Sequence, residues 1–120
     1  MSTNSPLIIV ISAPSGTGKT TIVKELINTN ENLIASVSYT TRKKRANEVD
    51  GKDYNFISSE LFSSMVEEKS FLEHAKVFDC FYGTPIKEVE ESLKKGLNVI
   101  LEIDWQGAMQ IKRERPDCLM

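Results

Sequence analysis

Gly16, Gly18, Lys19 and Thr20, within the run Ala13-Pro14-Ser15-Gly16-Thr17-Gly18-Lys19-Thr20, have the types and spacing of a loop that cradles phosphate. The glycines let backbone amides turn inward onto phosphate oxygens. The lysine adds a point charge for β and γ phosphates, and the threonine hydroxyl is a ligand for Mg²⁺. The first position of the usual G-x-x-x-x-G-K-[ST] pattern is Ala13, the next smallest residue after glycine. A Gly/Ser/Thr-rich turn that merely links a strand to a helix is the competing reading. The flanks favour the phosphate loop, because the apolar run Leu7-Ile8-Ile9-Val10-Ile11 precedes it and helical spacing follows. Ala13 to Thr21 is therefore the candidate triphosphate site, with Thr20 the candidate metal ligand.

Arginine makes paired hydrogen bonds to phosphate and never loses its charge, so Arg42 and Arg45 are the next candidates for anion chemistry. Lys43 and Lys44 between them read as a solvated face, or with the arginines as a nucleic-acid patch. Glu102 and Asp104 lie two apart at the end of an apolar run, which puts both carboxylates on one face of a strand. Glu73 adjoins His74, the only histidine. Neighbours on a strand point to opposite faces, so no acid-base pair is assigned there.

Positioning these groups requires an α/β framework. Leu7 to Ile11 reads as a strand and Thr20 onward as a helix carrying Ile22, Val23, Leu26 and Ile27, ended by the polar stretch 28–32. Leu33 to Tyr39 reads as a second strand, and Thr40 to Lys52 as a polar, charged segment closed by the turn signal Asp50-Gly51. Tyr54 to Ile57 is short and strand-like, Ser58 or Ser59 caps a helix with Leu61, Phe62, Met65 and Val66 on one face, and Phe71 to Phe78 alternates as a strand. Thr84-Pro85 reads as the cap and first turn of a helix with Ile86, Val89 and Leu93, stopped by Gly96. Leu97 to Ile103 suits a buried parallel strand, and a last helix begins near Gln106. The expected fold is a P-loop parallel sheet flanked by helices, with an inserted mixed α+β subdomain.

The 120 residues, 40% of them hydrophobic, suffice for one cored domain. A net charge of −2 gives no global pull toward nucleic acid or an anionic membrane, so small-molecule partners are expected. The first apolar run is far shorter than the roughly 20 residues of a membrane span and has no basic residue before it. Cys80 and Cys118 lack metal-ligand spacing and read as reduced thiols, Cys80 as a small hydrophobe, pointing to the cytoplasm. Trp105 reads as a packing residue beneath the strand end.

The block Ser36-Val37-Ser38-Tyr39-Thr40-Thr41-Arg42-Lys43-Lys44-Arg45, then Gly51-Lys52-Asp53-Tyr54-Asn55-Phe56, Phe71-Leu72-Glu73, Tyr82-Gly83-Thr84 and Glu102-Ile103-Asp104, resembles guanylate kinase through essentially the whole chain. The resemblance implies transfer of the terminal phosphoryl of ATP to GMP, with Mg²⁺ accompanying ATP. Lys19, Arg42 and Arg45 would be catalytic. Arg42 and Arg45 would hold the GMP phosphate with the hydroxyls of Tyr54 and Tyr82, residues that would otherwise read as packing. Ser38 and Thr84 would lie on the O6 side of guanine, Glu73 would face N1 and N2, Asp104 the exocyclic amine, and Gly83 would be a further GMP-binding residue. Glu102 would hold a water on Mg²⁺. Residues 1–38 and 83–120 would form the P-loop core and 39–82 the GMP-binding subdomain.

By the same resemblance the chain is the N-terminal part of a longer enzyme, without the lid arginines, the adenine-contacting segment and two core strands. Arg113 and Arg115 precede the lid region and are not carried over. Alone, the chain is expected to have greatly impaired catalysis and marginal stability. Two other readings stand beside the enzyme: a non-catalytic guanylate-kinase-like binding module, against which Lys19 and Thr20 count, and another P-loop nucleotide kinase.

Overall fold

A computed structural model describes residues 6–11, 19–103 and 105–118, with the side chains of residues 19–22 left out. The expected loop residues Ala13, Pro14, Ser15, Gly16, Thr17 and Gly18, together with Asp104, lie outside the described residues. So do the side chains of Lys19, Thr20 and Thr21, whose backbone opens a helix. The elements, in chain order, are β1 (Ile8–Ile11), α1 (Lys19–Thr29), β2 (Leu33–Ala35), β3 (Tyr39–Thr40), β4 (Asn55–Phe56), α2 (Ser59–Glu67), β5 (Phe71–Val77), β6 (Cys80–Pro85), α3 (Ile86–Lys94), β7 (Asn98–Glu102) and α4 (Trp105–Glu114). They divide between two compact units, Met1–Ser36 with Glu88–Met120, and Val37–Lys87.

The first unit is built on a parallel sheet ordered β1-β7-β2. Its central strand, β7, is apolar without alternation because both of its faces are covered: Val99, Ile100 and Leu101 are each 1% exposed. In β1 the alternation returns, with Ile8 and Val10 buried and Ile9 and Ile11 half-buried. Asn98 secures the start of β7, its side-chain oxygen accepting from the Leu7 amide at 2.7 Å while its own amide donates to the Asn32 carbonyl at 2.7 Å. At the end of α3, Gly96 takes φ +86°, its amide donates to Leu93 and the Leu97 amide donates to Ser92. Those two bonds and the left-handed glycine close the helix as the sequence led one to expect.

α4 buries Gly107, Ala108 and Ile111, small residues that admit a close approach to the core. Trp105 and Met109 fall on the other side of Ala108 from this stripe. Trp105 is 70% exposed, so its expected packing role is corrected. Arg115 pairs with Glu90 of α3.

The second unit is a mixed sheet ordered β4-β3-β6-β5, with β3 parallel to β4 and antiparallel to β6. Ser58 caps α2, its hydroxyl accepting from the Leu61 amide at 3.1 Å. From α2, Phe62 stacks on Phe71 at 4.6 Å and lies 5.4 Å from Phe81. Tyr39 meets Phe71 edge-on at 6.0 Å. Gly83 sits beneath this cluster: a Cβ there would come within 2.6 Å of the Phe71 ring.

Three expectations need correction. The run from Leu33 to Tyr39 is two strands, because β2 ends at Ala35 and the chain then joins a different sheet as β3. Thr84 and Pro85 belong to strand β6, and α3 starts only at Ile86; the Thr84 hydroxyl is spent on Glu73 instead of a helix cap. β5 stops at Val77, since Phe78 and Asp79 have φ of +49° and +64° and form the two-residue turn to β6. Among the described residues, no helix is long and apolar enough to cross a membrane.

Candidate functional site

The mixed sheet presents two chemically different faces. Residues directly opposite on paired strands share a face, and the observed register pairs Thr40 with Tyr82, Thr40 with Phe56, Glu73 with Thr84 and Ala75 with Tyr82. Run one step back, the β3 register sets Ser38 opposite Thr84. Ser38, Tyr54, Glu73, Tyr82 and Thr84 therefore belong to one face, while Tyr39, Phe81 and Gly83 belong to the face packed with α2. A register irregularity between Phe71 and Glu73 lets the ring of Phe71 join the α2 side although Glu73 pairs on the other. His74 is exposed and pairs with Gly83, away from Glu73, as expected.

At one end of that face Arg42 is held by a fork. Its Nη1 donates to Glu48 Oε1 at 3.1 Å and its Nη2 to Glu48 Oε2 at 2.7 Å, with a further Nη1 bond to the Lys43 carbonyl at 3.0 Å. The guanidinium lies over the Tyr54 ring at 5.2 Å and the Phe56 ring at 5.8 Å, and Tyr54 meets Tyr82 edge-on at 5.8 Å. The hydrogen bond that Arg42 donates to Glu48 chiefly, opposed by desolvation and aided by Tyr82, raises the Arg42 pKa above its already high value. Glu48 is correspondingly held down to about 2, first by Arg42 and then by the Arg45 amide. Arg42, Tyr54 and Tyr82 are thus brought together, a cation and two phenols fit for a phosphate.

The backbone beneath Arg42 is fixed by hydroxyls. The Thr40 hydroxyl, fully buried, donates to the Phe81 carbonyl at 2.9 Å and accepts from the Arg42 amide at 3.1 Å. Thr41 Oγ1 accepts from the Phe81 amide at 2.9 Å. Farther along, Thr84, 0% exposed, donates through Oγ1 to Oε1 of Glu73, itself 4% exposed, at 2.6 Å. This short bond fixes the buried Glu73 carboxyl group against β6.

The Ser38 carbonyl accepts from Asn55 at 2.8 Å, and its residue is half-buried. Arg45 is exposed, its amide donating to Glu48 Oε1 at 2.8 Å. Gly83 has a packing reason of its own in Phe71. Lys43 and Lys44 are exposed, in keeping with the solvated reading. In the first unit, Glu102 is half-buried at the C-terminal end of β7, opposite Ile11. Sequence reasoning missed Glu48 and Thr40. The signal for Glu48 was an acid three positions after a basic cluster.

The family model described as guanylate kinase matches residues 5–120. The chain is 54% identical over 109 residues to a guanylate kinase of Saccharophagus degradans, covering 91% of this chain and 53% of that one. It is 48% identical over 119 residues to a guanylate kinase of Legionella pneumophila, covering 99% and 57%. Among solved structures, the guanylate kinase of Anaplasma phagocytophilum superposes with a TM-score of 0.82 at 37% identity, over 97% of this chain and 57% of that one. The chain spans about half the length of the curated relatives it matches. That superposition bears out the expected α/β fold, and with the family match over residues 5–120 the chain belongs to the guanylate kinase family.

Proposed function

We propose that the protein transfers the terminal phosphoryl group of ATP to GMP, giving ADP and GDP. The observation that carries this reading is the pairing, on one sheet face, of the Arg42–Tyr54–Tyr82 cluster with the buried Glu73–Thr84 bond. The first suits a phosphate. The second suits a purine edge that offers donors, since the Glu73 carboxylate, steadied by the Thr84 hydroxyl, can accept, and the Ser38 hydroxyl opposite Thr84 can donate to an acceptor beside them. Guanine has that pattern through O6, N1 and N2; adenine reverses it at the first two and leaves buried groups unpaired.

The attacking oxygen belongs to the GMP phosphate and is already anionic, so no protein base is required. What the protein must do is hold two polyanions in line and offset their charge. Arg42 and Arg45 would grip the acceptor phosphate, aided by Tyr54 and Tyr82. Glu73, Ser38, Thr84 and Asp104 would read the base, while Gly83, expected among the GMP-binding residues, faces Phe71 on the other side of the sheet. Ala13 to Thr21, with Lys19 on the β and γ phosphates, would bind ATP.

A Mg²⁺ accompanying ATP fits the donor set, one hydroxyl at Thr20 and one half-buried carboxylate at Glu102, because this ion keeps most of its waters and takes hard oxygens. When bound it would neutralise charge on the phosphate oxygens. The mixed-sheet unit, Val37–Lys87, is assigned as the GMP-binding subdomain and Met1–Ser36 with Glu88–Met120 as the P-loop core, bounds that keep β6 whole where the expected 39–82 would divide it. ATP and GMP are the assigned partners, with no nucleic acid or membrane, and the cytoplasm, where both nucleotides are held, is the assigned location.

The test is steady-state ADP release with GMP, dGMP, AMP and UMP as acceptors. GMP-selective turnover supports the proposal. Preference for another acceptor would sink it in favour of a different P-loop kinase, and absence of both turnover and GMP binding would favour a binding module, whereas GMP binding without turnover fits a chain that spans about half the length of its relatives.

A further inference from the structure

Glu48 lies outside every group assigned so far, yet it makes the most extensive set of bonds in the basic segment. Its two oxygens take both terminal nitrogens of Arg42 and the Arg45 amide, and its own amide donates to the Arg45 carbonyl at 3.0 Å. Its carbonyl accepts from Lys44 Nζ at 3.1 Å. One carboxylate therefore closes the loop from Arg42 to Glu48 on itself. It also occupies the end of the Arg42 fork that a phosphate would otherwise use for a paired grip.

We infer that Glu48 is a positioning residue for the acceptor phosphate: it fixes the Arg42 guanidinium over Tyr54 and sets the backbone of Arg45, leaving the remaining guanidinium edge to the ligand. This rests on the proposed GMP site. With the fork anchored, Arg42 does not lose side-chain freedom when the phosphate arrives, so the ordering cost falls on folding and not on binding. The Arg42 guanidinium holds the Glu48 carboxyl well below the usual carboxylate range, so the anchor is ionised at neutral pH.

The geometry makes an asymmetric prediction. With Arg42 present, removing Glu48 frees the guanidinium and weakens GMP. With Arg42 absent, Glu48 is an unpaired negative charge beside the phosphate site, and removing it relieves repulsion. Neighbours that act through one another are non-additive in this way, whereas a residue that only holds the loop folded costs the same in both backgrounds.

The experiment is calorimetric titration of GMP into the unsubstituted protein, Glu48→Ala, Arg42→Ala and the double variant, with thermal melts confirming that each folds. Glu48→Ala should weaken binding about tenfold alone and not at all, or in the opposite direction, beside Arg42→Ala. Equal weakening in both backgrounds, or none in either, overturns the inference while leaving the proposed site intact. Failure of the unsubstituted protein to bind GMP overturns both. Should Glu48→Ala not fold, Glu48→Gln, which keeps the volume and loses the charge, serves in the same cycle with the same expected signs.

Discussion

Replacing Gly83 by alanine should destabilise the mixed sheet by an amount that its surroundings set. The added methyl would lie 2.6 Å from Phe71 Cδ1, 2.8 Å from Cε1 and 2.9 Å from Cγ. Carbon atoms rest at about 3.5–4.0 Å, so the ring must retreat by roughly an ångström. It has little room, being buried, stacked on Phe62 at 4.6 Å and held at its edge by Tyr39 at 6.0 Å. Overpacking of this kind costs about 1–3 kcal/mol. Alanine recovers about 0.4–1 kcal/mol through the unfolded chain, because Gly83 is not among the positive-φ glycines.

The difference runs from about 0 to about 2.6 kcal/mol, and the mid-range value of about 1.3 kcal/mol lowers Tm by roughly 4–10 °C for a domain of this size. The assay is a reversible melt followed by circular dichroism, repeated in a Phe71→Leu background where the ring is gone. The penalty should shrink there, since the two residues are in contact. An unchanged or raised Tm for Gly83→Ala, or an undiminished penalty beside Phe71→Leu, would refute the packing argument.

Thr84→Val deletes the 2.6 Å donor to a buried carboxylate and should cost about 1–3 kcal/mol in urea unfolding, while Thr84→Ser keeps most of the stability. The turn at Phe78 and Asp79 places two side-chain-bearing residues in a conformation that glycine and asparagine adopt cheaply, and Phe78 is 96% exposed with no packing to lose. Phe78→Asn with Asp79→Gly should therefore raise stability by about 1–2 kcal/mol, read as a higher urea midpoint. Because the Glu48 pKa falls from the ordinary 4.5 to about 2 on folding, its contribution is present above pH 4.5 and lost as pH falls toward 2. The stability gap between the unsubstituted protein and Glu48→Gln, measured across pH 2–7, should stay level above that window and narrow within it.

The parallel sheet could be read in the sequence because its strands are apolar runs too short for helices: Ile8 to Ile11 and Val99 to Leu101 need only burial to become strands. α2 was equally plain from Ser58 and the spacing of Leu61, Phe62, Met65 and Val66. β6 was not. Cys80-Phe81-Tyr82-Gly83-Thr84-Pro85 contains both residues that punctuate chains, and it is a strand only because β5 and β3 pair with its two edges. The break after Ala35 was hidden for the same reason, since Ile34 to Tyr39 has uniform strand character while its partners change.

Side-chain chemistry divides in the same way. Arg42 declared itself by type, whereas Tyr54, Tyr82, Glu73 and Thr84 stood out only through the family resemblance, and nothing local says that Thr84 binds Glu73 and does not cap α3. Glu48 meets Arg42 across a turn, six positions on, where no helical or strand period operates. Trp105 shows the converse: its size suggested burial, but the phase of α4 is set by Gly107, Ala108 and Ile111.

The most direct trial of a nucleotide-reading face on the mixed sheet is a crystal structure of the protein with GMP. Phosphate oxygens within hydrogen-bond distance of Arg42, Tyr54 and Tyr82, and the guanine edge against Glu73 and Thr84, are the predicted result. Nucleotide bound on another surface, or a base with its hydrogen-bonding edge turned away from Glu73, would contradict the account.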